Sequence, residues 1–320
     1  MISSEAIGVD LGGTKMLLGV LDPDSKVVWE SNERSTGHDE EELVELLVRE
    51  IEEARAERPG VEAVGLGIPA TIDHGRGLAV SAVNLPIEDL PIRDLVAERI
   101  GLPVFVDNDA NVAALAEHLC GAARGTRNAV MLTIGTGIGG GLVLDGELYR
   151  GATGAGAELG HVVIDMDGPR CQGNCPNRGC VETLASGTAI GREGREAAER
   201  EPDSALGRMR AEGREIDGRA ITGAARDGDP TAVGVFDLVG RRLGVALASF
   251  ANIFEPEMIV IGGGVIAAGD LLLEPARAEL RERALPPMDG TPVVEAELGG
   301  EAGMIGAAAM ARLELERGGS

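Results

Sequence analysis

Ile7-Gly-Val-Asp10-Leu-Gly-Gly-Thr-Lys15-Met-Leu-Leu-Gly-Val20 reads as an apolar strand, a tight glycine turn and an apolar strand returning. The same order recurs at Ala129-Val-Met-Leu-Thr-Ile134, the glycine loop Gly135-Thr-Gly-Ile-Gly-Gly140 and the returning strand Gly141-Leu-Val-Leu144. Two hairpins, each around a glycine loop of a size to cradle a phosphate, predict a duplicated fold whose halves face a shared cleft.

Working outward, Ala6–Leu11, Met16–Leu21 and Lys26–Ser35 read as three strands, with Asp22-Pro-Asp-Ser25 as a turn. Asp39–Arg58 is an amphipathic helix with Leu43, Leu46, Leu47 and Ile51 at helical spacing. Val61–Ile68 is a buried strand, Ile92–Ile100 a helix, Val104–Val106 a strand and Asn108–Gly121 a helix. In the second half Thr183–Arg200, Ala220–Arg226 and Thr231–Phe254 read as helices. Met258–Ile261 is a strand ending in Gly262-Gly263-Gly264, Pro292–Ala296 a short strand and Met304–Leu313 an Ala-rich helix. Strands alternating with helices predict an α/β sheet covered by helices.

At 320 residues the chain holds one large or two ordinary domains. Aromatics are 2% of the residues, so Leu, Val, Ile and Ala must build the core. A net charge of −24 argues against nucleic acid and anionic membranes as partners. Basic residues are almost all arginine, with lysine only at 15 and 26, a bias of composition and not of mechanism. Neither a secretory signal nor a run of about 18 apolar residues is present, which predicts a cytoplasmic protein.

Polar residues cluster where the apolar runs end. Asp10-Leu-Gly12-Gly13-Thr14-Lys15 offers backbone amides, a hydroxyl and a cation to an anion. It is not a P-loop, because the order is Gly-Thr-Lys and a strand follows; an ordinary glycine hairpin would read the same in isolation. Gly135-Thr136-Gly137-Ile138-Gly139-Gly140 matches a dinucleotide fingerprint by letter, but again a strand follows instead of a helix. Val106-Asp107-Asn108-Asp109-Ala110-Asn111 places four polar residues in the five positions from 107 to 111, at the C-terminal end of a strand. A helix cap explains one of them; a carboxylate there suits proton abstraction from a hydroxyl. Further on come Glu158-Leu-Gly-His161, Cys171-Gln-Gly-Asn-Cys175-Pro-Asn-Arg-Gly-Cys180 and Glu182. One His and three Cys form a structural zinc set; a disulfide with a free thiol is the alternative. Cys120 stands apart on a helix as a small apolar residue.

The order and spacing of these motifs resemble the ROK family (repressors, open reading frames and sugar kinases) of the actin-like ATPase-domain superfamily, with bacterial glucokinases the nearest group. The resemblance runs from about residue 6 to about 313 and includes Leu298-Gly-Gly-Glu-Ala-Gly-Met-Ile-Gly-Ala-Ala308. It implies a ribonuclease H-like duplicated α/β fold with two domains around a cleft: residues 1–119 with 303–320, and 120–302. It implies transfer of the γ-phosphoryl group of ATP to the 6-hydroxyl of glucose, with Asp109 as the base. Asn84, Asn108, Glu158, His161 and Glu182 then match sugar ligands. Asp10 matches the carboxylate near the phosphates and Mg2+, and Gly12, Gly13, Thr14, Lys15, Gly135, Thr136 and Gly137 the phosphate loops. Gly262, Gly263 and Gly264 match the adenosine-side turn. His161, Cys171, Cys175 and Cys180 match the ligands of a structural zinc. The family commonly has Cys-x-Cys-x4-Cys, whereas this chain has two more residues, among Gln172, Gly173 and Asn174.

The resemblance also implies a homodimer or higher oligomer. It leaves N-acetylmannosamine, N-acetylglucosamine, fructose and allose as alternative acceptors, and polyphosphate as an alternative donor. A sugar-responsive transcriptional regulator is the competing class. Such regulators carry a helix-turn-helix before the first glycine hairpin, whereas here the first strand starts near residue 6.

Overall fold

In the computed structural model, which describes residues 5–33, 39–173 and 175–318, the two hairpins open two sheets of one topology. The first half runs β1 (Glu5–Leu11), β2 (Met16–Leu21), β3 (Val27–Glu33), α1 (Glu40–Glu57), β4 (Val61–Ile68), β5 (Ala70–Asp73), β6 (Leu78–Ala82), β7 (Glu88–Leu90), α2 (Ile92–Ile100), β8 (Val104–Asn108) and α3 (Asp109–Cys120). Arg34 and Ser35, the predicted end of the third strand, lie outside the described residues, as does Asn174 in the expanded cysteine loop. The second half runs β9 (Ala129–Ile134), β10 (Ile138–Leu144), β11 (Glu147–Leu148), α4 (Val181–Ala185), α5 (Gly187–Arg200), α6 (Ala205–Ala211), α7 (Gly218–Arg226), α8 (Pro230–Phe254), β12 (Met258–Gly262), α9 (Asp270–Arg283) and β13 (Val293–Glu295). The helix α10 (Ala302–Gly318) follows.

Strand order is β3-β2-β1-β4-β8 in the first large sheet and β11-β10-β9-β12-β13 in the second. Each has an antiparallel hairpin at one side and parallel pairs at the other: β1–β4–β8 in one, β9–β12–β13 in the other. By contacts the chain divides into two compact units, Met1–Arg127 with Gly141–Ala157 and Ala296–Ser320, and Asn128–Gly140 with Glu158–Glu295.

The first unit buries Val9, Leu18, Leu66 and Val106 from the sheet with Leu43, Leu47 and Ile51 from α1. Each such side chain contributes about 1.5–3 kcal/mol on leaving water. Asp39 starts α1 by accepting a hydrogen bond from the Glu42 amide at 2.9 Å, and Glu40–Glu42 put negative charge on the positive end of the helix dipole. Helix α10 is rich in Ala because it lies directly on backbone: a methyl at Gly8 or Gly65 would come within 1.9 Å of the Met304 or Ala307 carbonyl. In the second unit α8 carries buried Val235, Phe236, Leu243, Leu247 and Phe250 and packs on α9. No helix among the described residues is long and apolar enough to cross a membrane.

The structure departs from the sequence reading in several places, three of which have a plain physical reason. The short sheet β5-β6-β7 went unread, since strands of three to five residues give too little alternation to detect. Helix α9 carries Pro275 in its interior and was missed for that reason. The helix predicted over Thr183–Arg200 is two helices, because Ser186 is extended and caps α5 by accepting from the Ala189 amide.

Candidate active site

Register places the first unit's acids. Asp10, Gly67 and Asp107 are level across the parallel strands β1, β4 and β8, so the carboxyl ends of these strands carry the polar residues. Ligands of open α/β sheets bind at that edge. Asn108 ends β8 and caps α3: its Oδ1 accepts from the amides of Ala110 (2.9 Å) and Asn111 (3.3 Å). Its Nδ2 donates to the Ala70 carbonyl at 3.3 Å, which fixes the amide orientation. Asp109 is therefore the first residue of a helix whose start is pinned, and its Oδ1 accepts from the Ala110 amide at 2.9 Å. Burial raises the Asp109 carboxyl above the ordinary carboxylate range, opposed by its hydrogen bonds to the Ala110 amide, its own amide and Asn108.

Asp10 is pushed up to about 6, first by burial and then by the charge of Asp109, with Lys15 pulling the other way. Its carboxylate lies against the first turn of α10, where a methyl at Gly303 would meet it at 2.5–2.7 Å. Beyond Asp10 the turn closes with the Gly12 amide donating to the Lys15 carbonyl at 2.8 Å. Asn84 sits over this turn, 3.0 Å from where a methyl on Gly13 would be. The structure thus brings Asp10, the Gly12–Lys15 turn and Asn84 to one place, and puts Asp109 within electrostatic reach of Asp10.

Asp107 is fully buried and supports this corner. Its Oδ1 accepts from the Asn108 amide and the Asn111 side chain, both at 2.8 Å, and its Oδ2 pairs with Arg150 at 2.5 Å. Arg150 lies 3.6 Å from Glu314, and His74 bonds the Val106 carbonyl at 3.0 Å. Arg150, Glu314 and His74 went unread in the sequence, where none stands near another; only the Asp-Asn-Asp-Ala-Asn run signalled that position 107 mattered.

In the second unit the loop Gly135–Gly137 joins β9 to β10, which starts at Ile138, three residues before the predicted return strand. Glu182, in the first turn of α4, accepts from the Ile138 amide at 2.9 Å through Oε2. A methyl on Gly137 would stand 2.4 Å from that oxygen, so a side chain there would have to displace the carboxylate. Gly262 pairs level with Thr133 on β9, and Gly263, at φ 85°, packs on Ile134. Gly262–Gly264 therefore lie at the same carboxyl end as the loop. Glu158 precedes the short helical turn Leu159–His161, and its backbone carbonyl accepts from the His161 amide at 3.1 Å.

Nδ1 of His161 and the sulfurs of Cys171, Cys175 and Cys180 belong to one cluster whose ligand atoms all lie within 4.8 Å of one another. Cys171 Sγ is 3.5 Å from His161 Nδ1, and the sulfurs of Cys175 and Cys180 are 3.9 Å apart. Zn–S bonds of about 2.3 Å at tetrahedral angles put sulfurs about 3.8 Å apart, so the donor set and its spacing fit such an ion. Burial and the neighbouring thiols push Cys171 up to about 12, and burial raises Cys180 as well. Thiols crowded like this ionise when a cation shares their charge. With Nδ1 on the thiol side, Nε2 of His161 is the nitrogen left to face a ligand.

Two sheets of order 3-2-1-4-5, each opening on a glycine hairpin, define an actin-like ATPase fold. Residues 6–314 match the ROK family, and the chain belongs to it. It is 39% identical to a glucokinase of Thermotoga maritima over 309 residues, covering 95% of this chain and 96% of that protein. The crystal structure of a ROK family glucokinase from Streptomyces griseus, in complex with glucose and AMPPNP, superposes with a TM-score of 0.83 at 37% identity, covering 97% of this chain and 99% of that one. A ROK family transcriptional regulator, a homologue of the E. coli MLC protein, superposes at 0.86 with 32% identity, covering 96% of this chain and 77% of the regulator.

Proposed function

We propose that the chain is an ATP-dependent glucokinase that phosphorylates the 6-hydroxyl of glucose. The observation that carries this reading is the acid Asp109, fixed by the Asn108 cap at the start of α3 and made more basic by burial. It stands in a chain similar, over nearly its whole length, to a glucokinase crystallised with glucose and AMPPNP.

Asp109 accepts the hydroxyl proton as the sugar oxygen attacks the γ-phosphorus and the bond from that phosphorus to the β,γ-bridging oxygen breaks, so that ADP leaves. Burial suits it to this task, since a carboxylate whose proton affinity is raised is a stronger base. Asn108 spends its carbonyl on the helix start and keeps one amide hydrogen for a sugar oxygen. Asn84, Glu158, His161 and Glu182 hold the remaining sugar hydroxyls. The Gly12–Lys15 turn and the Gly135–Gly137 loop hold phosphates, and Gly262–Gly264 the nucleoside side. Asp10 would hold magnesium, whose charge would relieve the raised proton affinity that Asp10 owes first to burial and then to Asp109. Magnesium supplies charge neutralisation to the phosphates. His161, Cys171, Cys175 and Cys180 would hold a zinc ion, which would serve a structural role.

A coupled assay on the purified protein decides the substrates. Glucose with ATP should give the highest kcat/KM among glucose, fructose, allose, N-acetylglucosamine and N-acetylmannosamine, with ATP ahead of polyphosphate. A higher value for another pair overturns that assignment, and no glucose phosphorylation overturns the reading as a whole. Cys175→Ser should empty the metal site in elemental analysis and raise the glucose KM about 10- to 100-fold.

A further inference from the structure

The segment that follows the cysteine cluster grips the second glycine loop at three points. Glu182 Oε2 accepts from the Ile138 amide at 2.9 Å, the Gly187 amide donates to the Gly135 carbonyl at 2.8 Å, and the Thr188 hydroxyl donates to the Thr136 carbonyl at 2.7 Å. The arm is itself anchored. The Val181 amide donates to the Val162 carbonyl at 2.9 Å, beside His161, and the Thr183 hydroxyl donates to the Cys180 carbonyl at 2.9 Å. Position 187 has no room for a side chain, since a methyl there would lie 2.7 Å from the Gly135 carbonyl oxygen.

Peptide geometry gives these contacts a direction. In a trans peptide the carbonyl and the amide of one unit point opposite ways. The Gly135 carbonyl shares its unit with the Thr136 amide, and the Thr136 carbonyl with the Gly137 amide. Tying both carbonyls back into the arm turns two consecutive amides away from it, as a pair able to bind an anion.

We propose that Glu182–Thr188 is a positioning arm for the donor-phosphate loop, and that Glu182 links sugar occupancy to that loop. The proposal rests on reading Gly135–Gly137 as a phosphate loop and Glu182 as a sugar ligand. Glu182 then acts on both sides of the reaction: one oxygen holds the Ile138 amide while the carboxylate meets sugar hydroxyls.

Calorimetric titration of the metal-replete full chain, with magnesium–AMPPNP and with glucose separately, tests this. Thr188→Val removes one hydrogen bond at an exposed site and should weaken AMPPNP about 2- to 12-fold while leaving glucose affinity unchanged; Thr188→Ser should restore it. Glu182→Gln keeps a carbonyl for the Ile138 amide, so it should weaken glucose and spare AMPPNP, whereas Glu182→Ala should weaken both. Unchanged AMPPNP affinity in both Thr188→Val and Glu182→Ala overturns the positioning role. Thr136→Pro deletes one of the two amides outright. Unchanged AMPPNP affinity there overturns the phosphate-loop reading and the proposal with it. Unchanged glucose affinity in both Glu182 variants overturns the link to the sugar.

Discussion

Gly12 and Gly135 each follow the first strand of a sheet with the same strand order, and the acids beside them come from different places. In the first unit the acid lies on the strand itself: Asp10, two residues before Gly12, with Asp109 within electrostatic reach. In the second, the residue two before Gly135 is Thr133, and the acid against the loop is Glu182, from the helix after the cysteine cluster. Both turns close on themselves, Gly12 donating to the Lys15 carbonyl and Gly135 to the Gly137 carbonyl at 2.9 Å, but only the second is also held from outside, by Glu182, Gly187 and Thr188. One duplicated scaffold thus carries acids at one turn and a clamped set of amides at the other. The difference lies in what each turn is packed against, since the strand order is common to both.

The most severe way to break the first side is Asp109→Asn. Turnover should fall about 10²- to 10⁴-fold with little change in glucose affinity. In the wild type, kcat/KM should fall with decreasing pH along a limb set above the usual carboxylate range by the burial of Asp109. Near-normal turnover in the variant would remove Asp109 from the base role. Next comes Arg150→Met, which leaves the buried Asp107 carboxylate without its cation and should cost about 3–5 kcal/mol in denaturant unfolding. A loss below 1 kcal/mol would mean that Asp107 does not depend on Arg150.

Asp10→Asn sharpens the comparison in the other direction, because it should stabilise. The Asp10 pKa is raised from 3.8 to about 6 on folding, so the native state resists ionisation that the unfolded chain accepts. That cost is nearly absent below about pH 3, grows as pH rises through the window from 3.8 to about 6, and is complete above it. In metal-free buffer the variant should gain up to about 3 kcal/mol at pH 8 and only about 0.5 kcal/mol at pH 4. An equal gain at both pH values would rule out the ionisation of Asp10 as its source. The smallest contrast lies within the second loop. Gly137→Ala forces a methyl against Glu182 and should cost about 1–3 kcal/mol, while Gly135→Ala, with open space around it, should stay within about 0.5 kcal/mol. Equal losses would mean that Glu182 moves aside freely.

The hairpins and their recurrence were legible because apolar strands broken by glycine leave a local mark, and Asp10 and Asn108 lie where those marks end. The cysteine cluster was legible because its ligands are close in sequence, and the structure brings their ligand atoms within 4.8 Å of one another in spite of the longer first loop. The support beneath the acids was not. Asp107, Arg150, Glu314 and His74 meet only in three dimensions, from four separate stretches of chain. The arm was misread for a local reason: Ser186 looks like an ordinary helical residue, whereas as a cap it ends one helix, starts another and so delivers Gly187 and Thr188 to the loop.

The seat of α10 has a consequence for the order of assembly on the ribosome. Its glycine-lined bed on β1 and β4 is made early in synthesis, but the helix that fills it is made after every strand of the second sheet. Contacts so distant along the chain close late. The second sheet can therefore be complete while Asp10 still awaits Gly303 of α10.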